Sequence, residues 1–365
     1  MKIKLGLLTP LWTGSVETGK MDRTHEVGIV GGLRWWYEAI VHGLGGAGHQ
    51  PAGADHCEYN PRLPAPPEEQ LCPVCYLFGA TGWRRRVRIE ADEGLLAPAA
   101  GIQQLNVRPG LHAHGWFVPL GKIGELDLRL DGDAAAIDRL AALVLFLEKW
   151  GTLGAKPQFG CGRFEILNRA EVCSYAARAP WAAMGANGVS GALDVRAMGF
   201  FRYDFAPAAG PWWRHLSGLD RLMTNVETRP VLTGLAARGI VPVGPLLKDE
   251  WRYRGGAWRG NVVRWLFGTS GANNDRVRSK VAVGWARDIG DRWEVPGWVW
   301  LPPVDDRGAR FLSAELGQVW TLVRDATRWD RVLKAAGAVT TEPPRAAWVS
   351  RTTTDVIAQL EATRV

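Results

Sequence analysis

Ile3, Leu5 and Leu7 alternate with Lys2, Lys4 and Gly6, the period-two pattern of a half-buried strand. After a polar, glycine-containing stretch over 13–26, Ile29, Leu33, Trp36, Ile40 and Leu44 recur every three or four residues. That stripe predicts a helix, stopped by Gly45-Gly46. An irregular, proline-rich stretch fills 46–71, and then Val87, Ile89 and Ala91 alternate with Arg86, Arg88 and Glu90. Residues 114–120 and 126–130 predict two further strands. Ile137, Leu140, Val144 and Leu147 form a second helical stripe, with Asp133 placed to cap its start and Gly151 placed as a left-handed stop. A strand over 163–167 closes the series.

Reduced to its elements, this half reads β-α-β-(β)-β-α-β, which predicts the ferredoxin-like topology that RNA-recognition motifs share. The second half repeats the theme loosely. Phe201, Tyr203 and Phe205 alternate as a strand, and Val263-Arg-Trp-Leu-Phe-Gly-Thr269 echoes Leu33-Arg-Trp35 and Leu77-Phe-Gly-Ala-Thr81. In both halves an aromatic helix and a Leu-Phe-Gly turn lead into an arginine-rich strand, the later one over 276–283. The pattern predicts a degenerate duplication. One long helix over 313–336 and a short one over 353–363 end the chain. The expected architecture is α+β: an N-terminal ferredoxin-like module over 1–175 with an insertion over about 46–82, and a C-terminal one over 190–365 with helical additions.

Composition narrows the function. The longest apolar run, Leu140-Ala-Ala-Leu-Val-Leu-Phe-Leu147, is far short of a bilayer span, and the start Met-Lys-Ile-Lys-Leu lacks a signal core, so a soluble cytoplasmic protein is expected. Lys and Arg outnumber Asp and Glu by 44 to 37, a formal charge of +7, and 35 of those cations are Arg. With 19 Trp, the chain is rich in side chains that clamp phosphates and stack on bases. Genomic base composition and large aromatic cores account for the same bias equally well.

Five cysteines, an odd number, argue against a disulfide framework. Cys72-Pro-Val-Cys75 has a spacing that lets two thiolates reach one ion; Cys57 lies upstream, with His49 and His56 nearby. His49, Cys57, Cys72 and Cys75 make a complete Cys3His set for structural zinc, His49 being preferred because His56 adjoins Cys57. The competing reading of a lone Cys-x-x-Cys is redox activity. Trp83-Arg-Arg-Arg86, echoed by Arg276, Arg278 and Lys280, predicts a phosphate track, where one or two arginines would merely solvate an edge strand. Arg34 lies with Glu38 and His42 opposite the apolar stripe, so it can pair with Glu38 or, beside Trp35, reach nucleic acid; Arg264 repeats that position. Gly151-Thr-Leu-Gly-Ala-Lys-Pro-Gln-Phe-Gly-Cys-Gly-Arg163 lacks the spacing of a Walker or dinucleotide loop. Its glycines, with Lys156, Gln158 and Arg163, predict backbone contact with an anion. Asp22, His25 and Glu26, and the pair His112 and His114, show no diagnostic catalytic spacing.

Leu8-Thr-Pro-Leu-Trp-Thr-Gly14, Gly28-Ile-Val-Gly-Gly-Leu-Arg-Trp-Trp-Tyr-Glu-Ala-Ile40 and Cys72-Pro-Val-Cys-Tyr-Leu-Phe-Gly-Ala-Thr-Gly-Trp83 resemble signature blocks of the RAMP superfamily of CRISPR effector proteins. Within it they resemble the first subunit of type III-B Cmr complexes. The resemblance is strongest over 1–170 and looser through 262–283. It implies an RNA-binding, non-catalytic subunit of an RNA-guided antiviral complex, set near the 3′ region of the CRISPR guide RNA and helping to capture single-stranded target RNA beside other Cmr subunits. It also implies that the family's metal block falls on Cys57, Cys72 and Cys75, with His49 as remaining ligand. Relatives that cut RNA use an acid in a loop corresponding to about 13–27, where Asp22 is the one Asp. An endoribonuclease acting through Asp22, His25 or His112 is the alternative.

Overall fold

The computed structural model describes residues 1–17, 19–49, 56–110, 114–179, 193–207, 210–256, 260–269, 277–301 and 313–342. In chain order the first half runs β1 (Lys2–Leu7), α1 (Glu26–Gly43), the short helices α2 (Pro67–Gln70) and α3 (Pro73–Phe78), β2 (Val87–Asp92), β3 (Leu96–Pro98), β4 (Gln104–Val107), β5 (Trp116–Pro119), β6 (Lys122–Gly132), α4 (Ala134–Trp150), β7 (Phe164–Ile166) and α5 (Arg169–Ala176). The second half runs β8 (Met198–Phe205), α6 (Leu219–Thr224), α7 (Thr228–Ala237), β9 (Ile240–Val241), α8 (Gly244–Arg254), α9 (Gly260–Phe267), β10 (Val281–Val283), β11 (Ala286–Asp288), β12 (Trp293–Trp300), α10 (Ser313–Arg324), α11 (Ala326–Leu333) and β13 (Gly337–Glu342).

The chain is a mixed α/β protein with two main antiparallel sheets. The first has the order β2-β6-β1-β7, with β3 also on β6; the second has β13-β8-β12-β11-β9, with β10 on β12. Taking β1, β2, β6 and β7 as four consecutive strands, and β8, β11, β12 and β13 likewise, both sheets place them in the order fourth, first, third, second. Register explains the inner face of the first sheet: Ile3 opposes Leu128, Leu5 opposes Leu126 and Ile166, and Ile89 opposes Leu130. All of these are buried with residues of α1 and α4. The period-two polar positions face outward, where Lys2 pairs with Asp127 and Arg88 with Glu90. That outer face largely neutralises itself.

The halves meet through aromatic rings. Trp35 and Trp36 of α1 lie 5.6 and 5.7 Å from Trp298 of β12, and Trp36 stacks on Phe200 of β8 at 6.5 Å. Large rings of this kind carry much of the energy where two sheets join. Among the described residues, no helix is long and apolar enough to cross a membrane.

Several expectations change. Gly151 ends α4 but has φ −115, an extended conformation; a Cβ there would come within 2.3 Å of Leu147 Cδ2 and 3.2 Å of Trp36 Cε2, so packing and not a left-handed turn favours glycine. Asp133 does cap α4, accepting from the Ala136 amide at 3.1 Å. The helix expected over 313–336 is two, because Asp325 turns its carboxylate onto the Thr327 amide and starts α11 afresh. Residues 116–119 pair with the unanticipated β4 in a separate ribbon instead of joining the first sheet. Glu38 and His42, expected on the open face of α1, are 8% and 3% exposed: Gly48 closes over both, and His42 Nδ1 lies 2.5 Å from the Leu193 carbonyl. The expected helix over 353–363 lies outside the described residues.

Candidate metal centre and nucleic-acid interface

Cys72 caps α3, its sulfur accepting from the Cys75 amide at 3.4 Å, and Pro73 occupies the first helical position, where no N–H is needed. The turn thereby brings both thiols to one side. Cys57 approaches from the preceding strand-like segment; its sulfur accepts from the Cys72 amide at 3.4 Å and lies 3.1 Å from His49 Nδ1. The ligand atoms of His49, Cys57 and Cys72 all lie within 4.8 Å of one another, and Cys72 hydrogen-bonds to Cys75. Sulfur and imidazole donors around a tetrahedral ion sit at about 2.0–2.3 Å from it, so their mutual separations match a set this tight. The cluster can hold a metal ion, and His49, not His56, belongs to it.

The thiols are not equivalent. Cys75 is drawn down to about 5, first by the proton Cys72 donates to it and then by Arg34. Cys72 is pushed far above the ordinary thiol range by that same bond and by burial, and burial also raises Cys57. Arg34 is therefore turned inward: its guanidinium donates to Cys75 Sγ at 3.3 Å, the His49 carbonyl at 3.0 Å and the Gly79 carbonyl at 3.3 Å. An outer partner of this kind fixes the donor sulfur. Arg34→Ala is expected to weaken metal binding roughly 10–100-fold in a competition with a chromogenic chelator. Unchanged affinity would leave Arg34 with only the two carbonyls to hold.

Immediately after the cluster, Trp83 stacks on Tyr76 with ring centroids 5.5 Å apart and meets Tyr59 edge-on at 4.9 Å; its indole N–H donates to the Tyr76 carbonyl. The three expected arginines then divide. Arg86 lies over both the Trp83 and Tyr76 rings at 5.6 Å and pairs with Asp133 at 3.1 Å. Its amide donates to the Leu77 carbonyl, which fastens the row to α3. Arg84 and Arg85 are exposed, with no hydrogen bond or ion pair among the described residues, and line an open concavity with Trp83, Arg86 and Asp133.

The glycine-rich loop lies elsewhere. Arg163 donates to the Lys149 and Gly151 carbonyls at the end of α4, whereas Arg86 touches Asp133 at its start. At 1.5 Å per residue the two sites lie about 25 Å apart along that helix, so the arginine row and the loop do not share one compact patch. Within the loop the glycines serve protein contacts: a Cβ on Gly162 would strike the Leu153 carbonyl at 1.9 Å, and one on Gly154 the Trp12 carbonyl at 2.7 Å. Lys156 is exposed and holds φ 64, a left-handed conformation that only strong surroundings impose on a lysine. Gln158 presents its carbonyl to Lys248 Nζ. Arg163 also lines an inter-sheet cleft of about 300 Å³ with Trp150, Arg202, Glu294 and Trp298, and burial draws its guanidinium down to about 10.

Of the other expected contacts, Trp35 is packed against Trp298, Arg264 is half-buried on α9, and Arg278 is exposed before β10. Lys280 lies 5.2 Å over both Trp265 and Trp300, and Arg276 and His112 lie outside the described residues. Leu-Phe-Gly does recur as a helix end: Gly79 after α3 and Gly268 after α9 both have positive φ. His25 Nε2 is 2.9 Å from Asp22 Oδ1, which holds the Asp22 carboxyl below its usual range. Lys248, Asp249 and Glu250 were not anticipated, because three successive charges on a helix read as a solvated face; here they are 2%, 1% and 5% exposed.

Residues 4–165 match the family model of the RAMP superfamily. The crystal structure of Cmr1 from Pyrococcus furiosus, apo form, is similar at TM-score 0.42 and 15% identity, over 93% of this chain and 97% of that one. A cryo-EM structure of the type III-B Cmr-β complex, bound to cognate target RNA and AMPPnP in the presence of single-stranded DNA, contains a chain similar at TM-score 0.37 and 10% identity, over 88% and 99%. No curated protein matches the sequence.

Proposed function

We propose that the chain is a non-catalytic RNA-binding subunit of a type III-B CRISPR effector complex, set near the 3′ region of the guide RNA, where it helps capture single-stranded target RNA beside other Cmr subunits. The match of residues 4–165 to the RAMP superfamily model and the signature blocks around Trp12, Trp35 and Cys72 support this reading. The common strand order of the two sheets supports two ferredoxin-like modules, over 1–175 and 190–365, the first carrying a zinc-binding insertion. The observation that carries the functional part is the placement of Arg84 and Arg85. Two uncommitted guanidinium groups stand beside an exposed-edge aromatic stack, on a segment pinned at one end by a cysteine cluster. Cations for phosphates next to rings for unstacked bases are what a single-stranded RNA site requires. Zinc held by His49, Cys57, Cys72 and Cys75 would supply a structural crosslink there.

The test is the salt dependence of binding to a single-stranded RNA. Each phosphate contact contributes about 0.7 to the slope of log affinity against log salt, so Arg84→Glu with Arg85→Glu should flatten the slope by about one unit or more. A slope equal to that of the parent overturns the assignment.

The hydrogen-bonded Asp22–His25 pair favours a second reading, an endoribonuclease, since it joins a carboxylate to a proton-transferring imidazole. Labelled RNA incubated with the purified chain is expected to stay intact. Cutting that disappears in Asp22→Ala would replace the first reading.

A further inference from the structure

The turn at Pro157–Phe159, which follows Lys156 in the glycine-rich loop, is gripped from below by the second half of the chain. Lys248 of α8 donates from Nζ to the Gln158 carbonyl at 3.2 Å. Its ammonium lies 5.3 Å from the Trp116 ring centroid and 5.6 Å from that of Phe159, and no carboxylate pairs with it among the described residues. Asp249, the next residue, accepts from the Trp116 indole N–H at 3.2 Å and so fixes the ring on which Lys248 rests. Trp285, 1% exposed, donates its indole N–H to the Phe159 carbonyl at 2.9 Å. Beside it Gly160 and Gly284 meet backbone to backbone: a Cβ on Gly160 would come within 2.6 Å of Gly284 Cα.

An ammonium placed so deep, with two ring faces and one carbonyl as its partners, is costly unless its position matters. What it holds is the turn after the one exposed cation of the loop, a lysine kept in a left-handed conformation. We propose that Lys248 is a positioning residue: from the second half of the chain it clamps the Pro157–Phe159 turn, so that Lys156 is presented outward to a phosphate of single-stranded RNA. The proposal rests on the RNA-binding reading above and adds that the loop is a composite of both halves, although every loop residue belongs to the first.

Two variants of the full chain address the clamp from different sides. Lys248→Met removes the donor but keeps an unbranched side chain on the two rings, and Trp285→Phe removes the other donor. Amide hydrogen exchange over 157–163 is expected to speed up in both, with the strands of either sheet unaffected. Binding to a single-stranded RNA oligonucleotide is expected to weaken roughly five-fold in Lys248→Met, about as much in Lys156→Ala, and no further in the double variant. Unchanged exchange over 157–163 overturns the clamp. An equal loss from Lys248→Met in the Lys156→Ala background overturns the link between the two lysines, since a general loss of structure would persist there. Affinity indifferent to Lys156→Ala overturns the assignment of Lys156 alone, whereas the broader RNA reading falls only if reversal of Arg84 and Arg85 leaves the salt slope intact.

Discussion

Replacing Cys72 by Ser is expected to release the metal ion and loosen the whole segment between His49 and β2. The purified parent should carry one zinc per chain by elemental analysis, taken up with release of protons, because thiols must ionise to bind it. Cys72 has three duties: it is a donor in the cluster, the cap of α3 and a member of the first core, with Cys57, Leu71, Val74, Cys75 and Leu77. The Tyr59 amide bonds to the Thr81 carbonyl and the Arg86 amide to the Leu77 carbonyl, so motion in the cluster reaches the arginine row directly. We expect a loss on the order of 3 kcal/mol, a fall of roughly 5–10 °C in the melting temperature, and a weaker grip on RNA. A strong chelator should reproduce most of this in the unsubstituted protein. If neither treatment alters melting or proteolysis over 56–86, the cysteines are a packed thiol cluster and zinc plays no part.

The second large effect concerns Lys248. Burial, reinforced by the Arg252 guanidinium one turn along α8, draws its ammonium from an ordinary 10.5 down to about 7. Between those two values the unfolded chain holds a proton there that the folded chain gives up, so stability rises with pH across that window. The penalty is fully developed below about pH 7 and absent above about 10.5; its size is on the order of 4 kcal/mol, lessened by the two aromatic faces. Lys248→Met should therefore be more stable than the parent at pH 6.5, with the difference shrinking steadily towards pH 10. Urea unfolding at several pH values reads this out, and parallel curves for the two proteins would show that Lys248 keeps its ordinary proton affinity. The same variant is expected to loosen the glycine-rich loop, so global stability and local order should move in opposite directions.

The first sheet was legible because its signal is local. Alternation at Ile3, Leu5 and Leu7 and at Val87 and Ile89 has one geometrical solution, and Asp133 begins a helix by capping its own amides. The cysteine set was legible for a related reason, since a two-residue spacer dictates a turn whatever surrounds it. Long-range decisions were hidden. Nothing near Gly151 reveals that Leu147 and Trp36 crowd it, and an arginine at position 34 reads as a solvent cation until the insertion folds back over it. Lys248, Asp249 and Glu250 look like any polar helix face, because their partners, Gln158, Trp116 and Arg331, are about 80 or more residues away. The separation of the arginine row from the glycine-rich loop was equally invisible, as it is the length of α4 that sets it.

The meeting of Gly160 with Gly284 has a mechanical consequence. Two peptide planes in direct apposition leave no slack for rocking, so this point behaves as a weld rather than a hinge. A single methyl at 160, which would come within 2.6 Å of Gly284 Cα, acts as a wedge whose displacement is magnified with distance from the joint. The angle at which the two sheets present themselves to any neighbouring subunit is thus recorded in a pair of residues that have no side chains at all.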